Sequence, residues 1–125
     1  MRFMLIAKVA PKDEGAPPDP RLMAAIGTLT EEMTKAGILV GTGGLMPSAL
    51  GATARLSGGK VVITDGPFTE VKELIGGYAI VDVKSKEEAL QLSRRFLQIH
   101  ADILGPDYEA DSEIRQMYDQ TCVEV

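Results

Sequence analysis

The sequence predicts one α+β domain of the split βαβ type: a mostly antiparallel sheet carrying two helices on one face. Short apolar or alternating runs such as "MRFMLIAKV", "KVVIT" and "GGYAIVDV" read as strands. Two longer segments repeat apolar residues at spacings of three and four, the period of an amphipathic helix. Their order is strand, helix, strand, hairpin, strand, helix, strand, and the 125-residue length suits one domain with one core.

The opening strand "MRFMLIAKV" gives way to the Pro- and Gly-bearing surface loop "PKDEGAPPDP". Asp19 then serves as N-cap with Pro20 at the first helical position. Leu22, Ile26, Leu29 and Met33 form one apolar stripe, Gly37 ends the helix, and "ILV" begins a second strand. "GTGGLMPSALGA" reads as a glycine-rich connection; it has neither G-x-G-x-x-G nor a Lys-Ser/Thr ending, which argues against a phosphate loop. "ATARL" and "KVVIT" pair as a hairpin across "SGGK".

Beyond "TDGPFTEVKE" comes the strand "GGYAIVDV", where Gly76 and Gly77 permit a bulge or a close backbone approach. Ser85 and Glu88 make a capping box, and Ala89, Leu92, Phe96, Ile99 and Ile103 continue helically until Gly105-Pro106. "SEIRQMY", residues 112–118, closes the domain as a strand with Ile114, Gln116 and Tyr118 on one side, Arg115 and Met117 on the other. One sheet face is left without helices, and a symmetric homodimer, sheet against sheet, would bury it.

Composition narrows the function classes. An apolar fraction of 45% and a charged fraction of 25% describe a folded protein rather than a disordered one. The net charge of −5, without a Lys/Arg block, argues against nucleic-acid binding. "FMLIA" is too short for a signal-peptide core, and no stretch approaches the roughly 20 apolar residues of a membrane span. Cys122 stands alone, so no internal disulfide forms and a reducing cytoplasm is the expected setting. No cofactor fingerprint or metal-ligand spacing is present, so neither a cofactor nor a metal is expected.

Chemistry concentrates in "TDGPFTEVKE", which holds Asp65, Glu70, Lys72 and Glu73. A turn aspartate usually accepts the N–H two residues on, but here that residue is Pro67, which has none. Asp65 is therefore expected to reach the N–H of Phe68 or a group elsewhere in the fold. Gly66 tolerates the backbone shape before proline, and Phe68 anchors the turn by burial. In a structural reading Asp65 holds the corner; in a functional one Asp65, Glu70, Lys72 and Glu73 surround a pocket, with Lys72 countering the acids. A division of labour is expected, Asp65 mainly holding the corner while Glu70 and Lys72 face the cavity. His100 lies one turn after Phe96, near the core-facing side of the last helix, which favours a structural role. As a catalytic candidate it would act with Asp102 or Asp107, although His100 and Asp102 fall on different helix faces and make a poor metal site.

"DGPFTEVKE" followed by "GGYAIVDV" resembles the DGPF subgroup of the YCII-related proteins, as do "MRFMLIAK", "EEMTKAGILVGTGGLMPSA" and "SEIRQMY". The resemblance places Asp65, Gly66, Pro67, Phe68, Glu70, Lys72 and Glu73 on the subgroup's motif, with Thr69 and Val71 at variable positions. It implies a ferredoxin-like α+β fold and a homodimer of the α+β-barrel type. It also implies a regulatory setting, because genes of this subgroup often sit beside those of extracytoplasmic-function sigma factors. Other branches resemble small enzymes with a His–Asp pair whose histidine lies in the first helix; "DPRLMAAIGTLTEEMTKA" contains no histidine. Two functions follow: a ligand-binding or regulatory module whose pocket is roofed by "PKDEGAPPDP", or a small enzyme. In the second, Asp65 or Glu70 moves a proton while Lys72 steadies a small anionic substrate. The absent histidine favours binding of a small-molecule ligand.

Overall fold

The structure, a computed structural model, describes residues 1–68 and 70–118. Its strands are β1 (Arg2–Val9), β2 (Leu39–Gly44), β3 (Ala52–Ser57), β4 (Lys60–Asp65), β5 (Leu74–Asp82) and β6 (Asp111–Gln116), with helices α1 (Pro20–Lys35) and α2 (Lys86–Leu104). The main sheet runs β2-β5-β1-β6 with every neighbouring pair antiparallel, and β3-β4 forms a separate two-stranded sheet. β5 therefore lies between β1 and β2, and β1 between β5 and β6. Two interleaved split βαβ units of this kind make the ferredoxin-like α+β fold, with the hairpin inserted between β2 and β5.

Local chemistry explains the helix ends. The Asp19 carboxylate accepts the Arg21 N–H at 2.8 Å, and Pro20 needs no partner for a proton it does not have. At the other end of α1, Gly37 takes a positive φ of 72°, and the Ile38 N–H returns to Met33 O at 2.9 Å. Ser85 caps α2 by accepting the Glu88 N–H, while the Glu88 carboxylate reaches back to the Lys84 N–H at 2.8 Å. Both apolar stripes enter one core, in which Leu29, Met33 and Ala89 pack with Phe3, Leu5, Val81 and Val83. The opposite face carries Met4, Ile6, Tyr78 and Ile80, paired across β1 and β5, and no helix covers it.

The β3-β4 hairpin turns on Gly58 and Gly59, both with positive φ, the requirement of a two-residue type I′ turn. "GTGG" is not a connection: Gly41–Gly44 extend β2 and pair with β5. The close backbone approach falls on β5, where a Cβ at residue 77 would stand 2.9 Å from Gly43 O, while a Cβ at Gly43 would press on the Tyr78 ring at 3.1 Å. Gly76 supplies the bulge, since the β1–β5 register steps from Ala7↔Gly77 to Lys8↔Ile75. β6 begins one residue before "SEIRQMY" and ends at Gln116, although the Met117 N–H still bonds Arg2 O at 2.8 Å. Cys122 lies outside the described residues.

Candidate functional site

β1 and β6 bring Lys8 and Asp111 to one end of the sheet, where Glu73 ends the 66–73 segment and leads into β5. This segment rests on the turn that follows β2. There Ser48–Leu50 form one turn of 3-10 helix closed by the Gly51 N–H on Ser48 O at 2.9 Å. Leaving β4, the Gly66 N–H donates to Gly51 O at 2.9 Å and the Phe68 N–H donates to Ser48 Oγ at 3.1 Å. The buried Ser48 hydroxyl in turn donates to Glu14 Oε1 at 2.6 Å. One side chain thus ties together the β1–α1 loop, the 48–51 turn and the Asp-Gly-Pro-Phe turn. A Cβ at Gly66 would lie 1.7 Å from Ser48 O, so close approach rather than φ requires glycine there. The Gly66-Pro67 peptide is cis.

Asp65 has a different place from the expected one. It closes β4 opposite Ala52 and is exposed, and its carboxylate accepts no hydrogen bond from a described residue. The Phe68 N–H goes to Ser48 instead. The hydroxyl is already fixed beneath the turn by its bond to Glu14.

Between the 45–53 segment, the hairpin base and the 65–75 segment lies an open groove of about 830 Å³. Its apolar lining includes Met46, Leu50, Phe68 and Ile75, and its charged lining is Glu14, Asp65, Glu70 and Glu73, with no Lys or Arg. Pro67 also lines it. Of the "PKDEGAPPDP" loop only Glu14 takes part. Asp65, Glu70 and Glu73 are therefore brought together; Lys72 is exposed and not part of the lining. Lys72 acts on the site at longer range, its charge opposing the rise in the Glu73 pKa. That rise comes first from a hydrogen bond between the Glu73 and Asp111 carboxyls, then from partial desolvation and the Asp111 charge. Next to them Lys8 bonds Glu113 across β1 and β6, which holds Glu113 below the usual carboxylate range and raises Lys8.

His100 does not reach the groove. Its Nδ1 lies 2.8 Å from Phe96 O, a carbonyl that can only accept, so Nδ1 carries the proton. The ring is wedged between Phe96 and Tyr108, with centroids at 4.5 and 5.8 Å, and burial raises the Tyr108 hydroxyl's pKa. Asp102 bonds Gln98 rather than His100. A second groove, of about 520 Å³, runs between α2 and β6 past Gln91, Arg94 and Gln98. Among the described residues no cluster of three or more His, Cys, Asp or Glu could hold a metal ion, and no helix is long and apolar enough to cross a membrane.

Ser48 and Glu14 are the polar site residues that sequence reasoning missed, beside the apolar lining of Met46, Leu50 and Ile75. Their partners lie 34 and 20 residues away, beyond any local pattern. The available signal is that Ser48 is the one polar side chain in "LMPSALG", where an apolar run makes an unpartnered hydroxyl costly.

The YCII-related domain model matches residues 1–104 of the chain. An uncharacterised protein of Rhizobium meliloti (strain 1021) is 36% identical over 76 residues, which are 61% of this chain and 61% of that protein. The aligned part therefore spans about three fifths of that relative's length. With the interleaved βαβ units, the inserted hairpin and the Asp-Gly-Pro-Phe turn seated on Ser48, the matched span places the chain in the YCII-related family.

Proposed function

We propose that this chain is a cytoplasmic homodimer that binds a small molecule in the groove beside the Asp-Gly-Pro-Phe turn. The groove carries the proposal: it has the volume of a ligand site, about 830 Å³. Its apolar floor and converging carboxylates suit a ligand of mixed character. Glu14, Asp65, Glu70 and Glu73 meet no lining cation, so the field there favours a ligand bearing an amine or several hydrogen-bond donors over an anion. The uncovered sheet face with Met4, Ile6, Tyr78 and Ile80 supports the homodimer. The resemblance to the DGPF subgroup adds a regulatory setting to the same module.

A second reading rests on Glu73. Its carboxyl is held above the usual range by Asp111 and it lines the groove, so it keeps a proton to higher pH than a free glutamate. An enzyme built here would use Glu73, with Asp65 or Glu70, for proton transfer.

Thermal shift with a panel of primary amines and a matched panel of carboxylates tests the binding reading. A ligand at about 100 times its Kd adds about 2.7 kcal/mol to the native state. At least one amine should raise Tm, and Glu70→Gln should shrink that rise while leaving the unliganded Tm in place. A rise produced by carboxylates alone would contradict the proposal.

A further inference from the structure

The hairpin buries nothing in its own chain. Every residue of β3 and β4 is exposed, with Leu56 at 72% and Ile63 at 71%. Opposed residues of an antiparallel pair share a face, so Ala54 with Ile63 and Leu56 with Val61 make one face apolar beyond Asp65 at its base, while Thr53, Arg55, Ser57, Lys60 and Thr64 surround Val62 on the other. An isolated two-stranded hairpin is marginal in water, and an apolar face of this kind needs cover. A second uncovered patch rims the groove, where Leu45, Met46, Leu50 and Ile75 are all at least half exposed and Met46 reaches 73%. Within one chain neither patch covers the other.

The surface area indicates what does. The chain exposes 9052 Å², whereas a compact monomer of 13.4 kDa should expose about 6,500 Å². The eight residues outside the described set, Thr69 and 119–125, account for at most about 1,300 Å² even fully extended. The remaining excess, more than about 1,000 Å², meets the about 800 Å² per partner of a stable interface.

We propose that the β3-β4 hairpin is an arm received by a second copy of this chain, its apolar face lying on the rim of the partner's groove, so that each ligand site is walled in part by the other subunit. Two patches per chain, hairpin and rim, satisfy an isologous two-fold contact in which each meets the other twice. This inference rests on the homodimer reading and goes beyond it, because two sheets can pack face to face without either hairpin touching the opposite groove.

The test uses the full chain. It contains no tryptophan, so Met46→Trp places a unique reporter on the groove rim. With the hairpin otherwise unchanged, the indole emission should be blue-shifted and protected from acrylamide, and should move to that of exposed indole on dilution through the dimer Kd. Leu56→Glu with Ile63→Glu removes apolar surface without touching this chain's own core. It should weaken dimerisation at least about a hundredfold and expose the reporter, with the circular dichroism spectrum unchanged. A dimer whose indole reporter is already quenched as freely as in water, or whose affinity ignores the double substitution, overturns the arm while leaving the homodimer standing. A monomeric wild-type chain at micromolar concentration, by light scattering, overturns both.

Discussion

Replacing Ser48 by alanine tests which residue holds the Asp-Gly-Pro-Phe turn. The hydroxyl is buried, accepts the partly buried Phe68 N–H at 3.1 Å and donates to Glu14 at 2.6 Å. Alanine leaves the Phe68 amide without its acceptor, which costs about 1–3 kcal/mol. Glu14 is only half-buried and can recover a water molecule, so its loss adds less. A net loss of about 2 kcal/mol, or about 8 °C in Tm for a domain of this size, is expected. Asp65→Ala removes an exposed carboxylate that no described residue bonds, so stability should change by no more than about 0.5 kcal/mol. Urea unfolding of both variants, repeated at several protein concentrations, separates these values from any contribution of self-association. An Asp65→Ala loss larger than that of Ser48→Ala would refute the reasoning and return the corner to the aspartate.

Gly66→Ala should be the most damaging change in the turn: its Cβ would fall 1.7 Å from Ser48 O, and chemical denaturation should show a loss beyond about 3 kcal/mol or an unfolded chain. His100→Gln should cost about 1–2 kcal/mol through lost packing against Phe96 and Tyr108, with ligand affinity by calorimetry changed no more than severalfold. The Glu73 pKa is raised in the folded state, so its contribution favours folding at acid pH and is lost as pH rises through the folded value. Asp111→Asn should accordingly raise the urea midpoint relative to wild type at about pH 7, with the gap closing near about pH 4. Glu113 runs the other way: Lys8 lowers its pKa, so its stabilisation is present above its ordinary value of 4.5 and fades below it. Glu113→Gln should therefore flatten the acid limb of a stability–pH profile.

Much of the fold was legible because it is written locally. Asp19-Pro20, Ser85 with Glu88 and Gly37 mark helix ends through bonds between near neighbours in the chain, and Gly58-Gly59 marks a hairpin by φ alone. Gly41–Gly44 misled for the complementary reason. Glycine disfavours strands as a residue, but pairing with β5 holds these residues in the sheet, and Gly43 makes room for the Tyr78 ring that only the sheet brings near. The site divides the same way. Proline's missing N–H showed that Asp65 lacks its usual turn bond, which is a local fact, whereas the acceptor that Phe68 uses comes from Ser48, 20 residues earlier. Lys72 also could not be placed from its neighbours, since one residue along the turn separates the exposed lysine from Glu73 in the groove lining.

Backbone amide spectra of isotope-labelled protein, titrated with whichever amine raises Tm, test the location of the ligand most directly. Resonances of Ser48, Gly51, Asp65, Gly66, Phe68 and Glu70 should move together with one Kd, because these residues build or line one groove. Shifts gathered instead on Gln91, Arg94 and Gln98 would put the ligand between α2 and β6, and would contradict the assignment of function to the Asp-Gly-Pro-Phe turn.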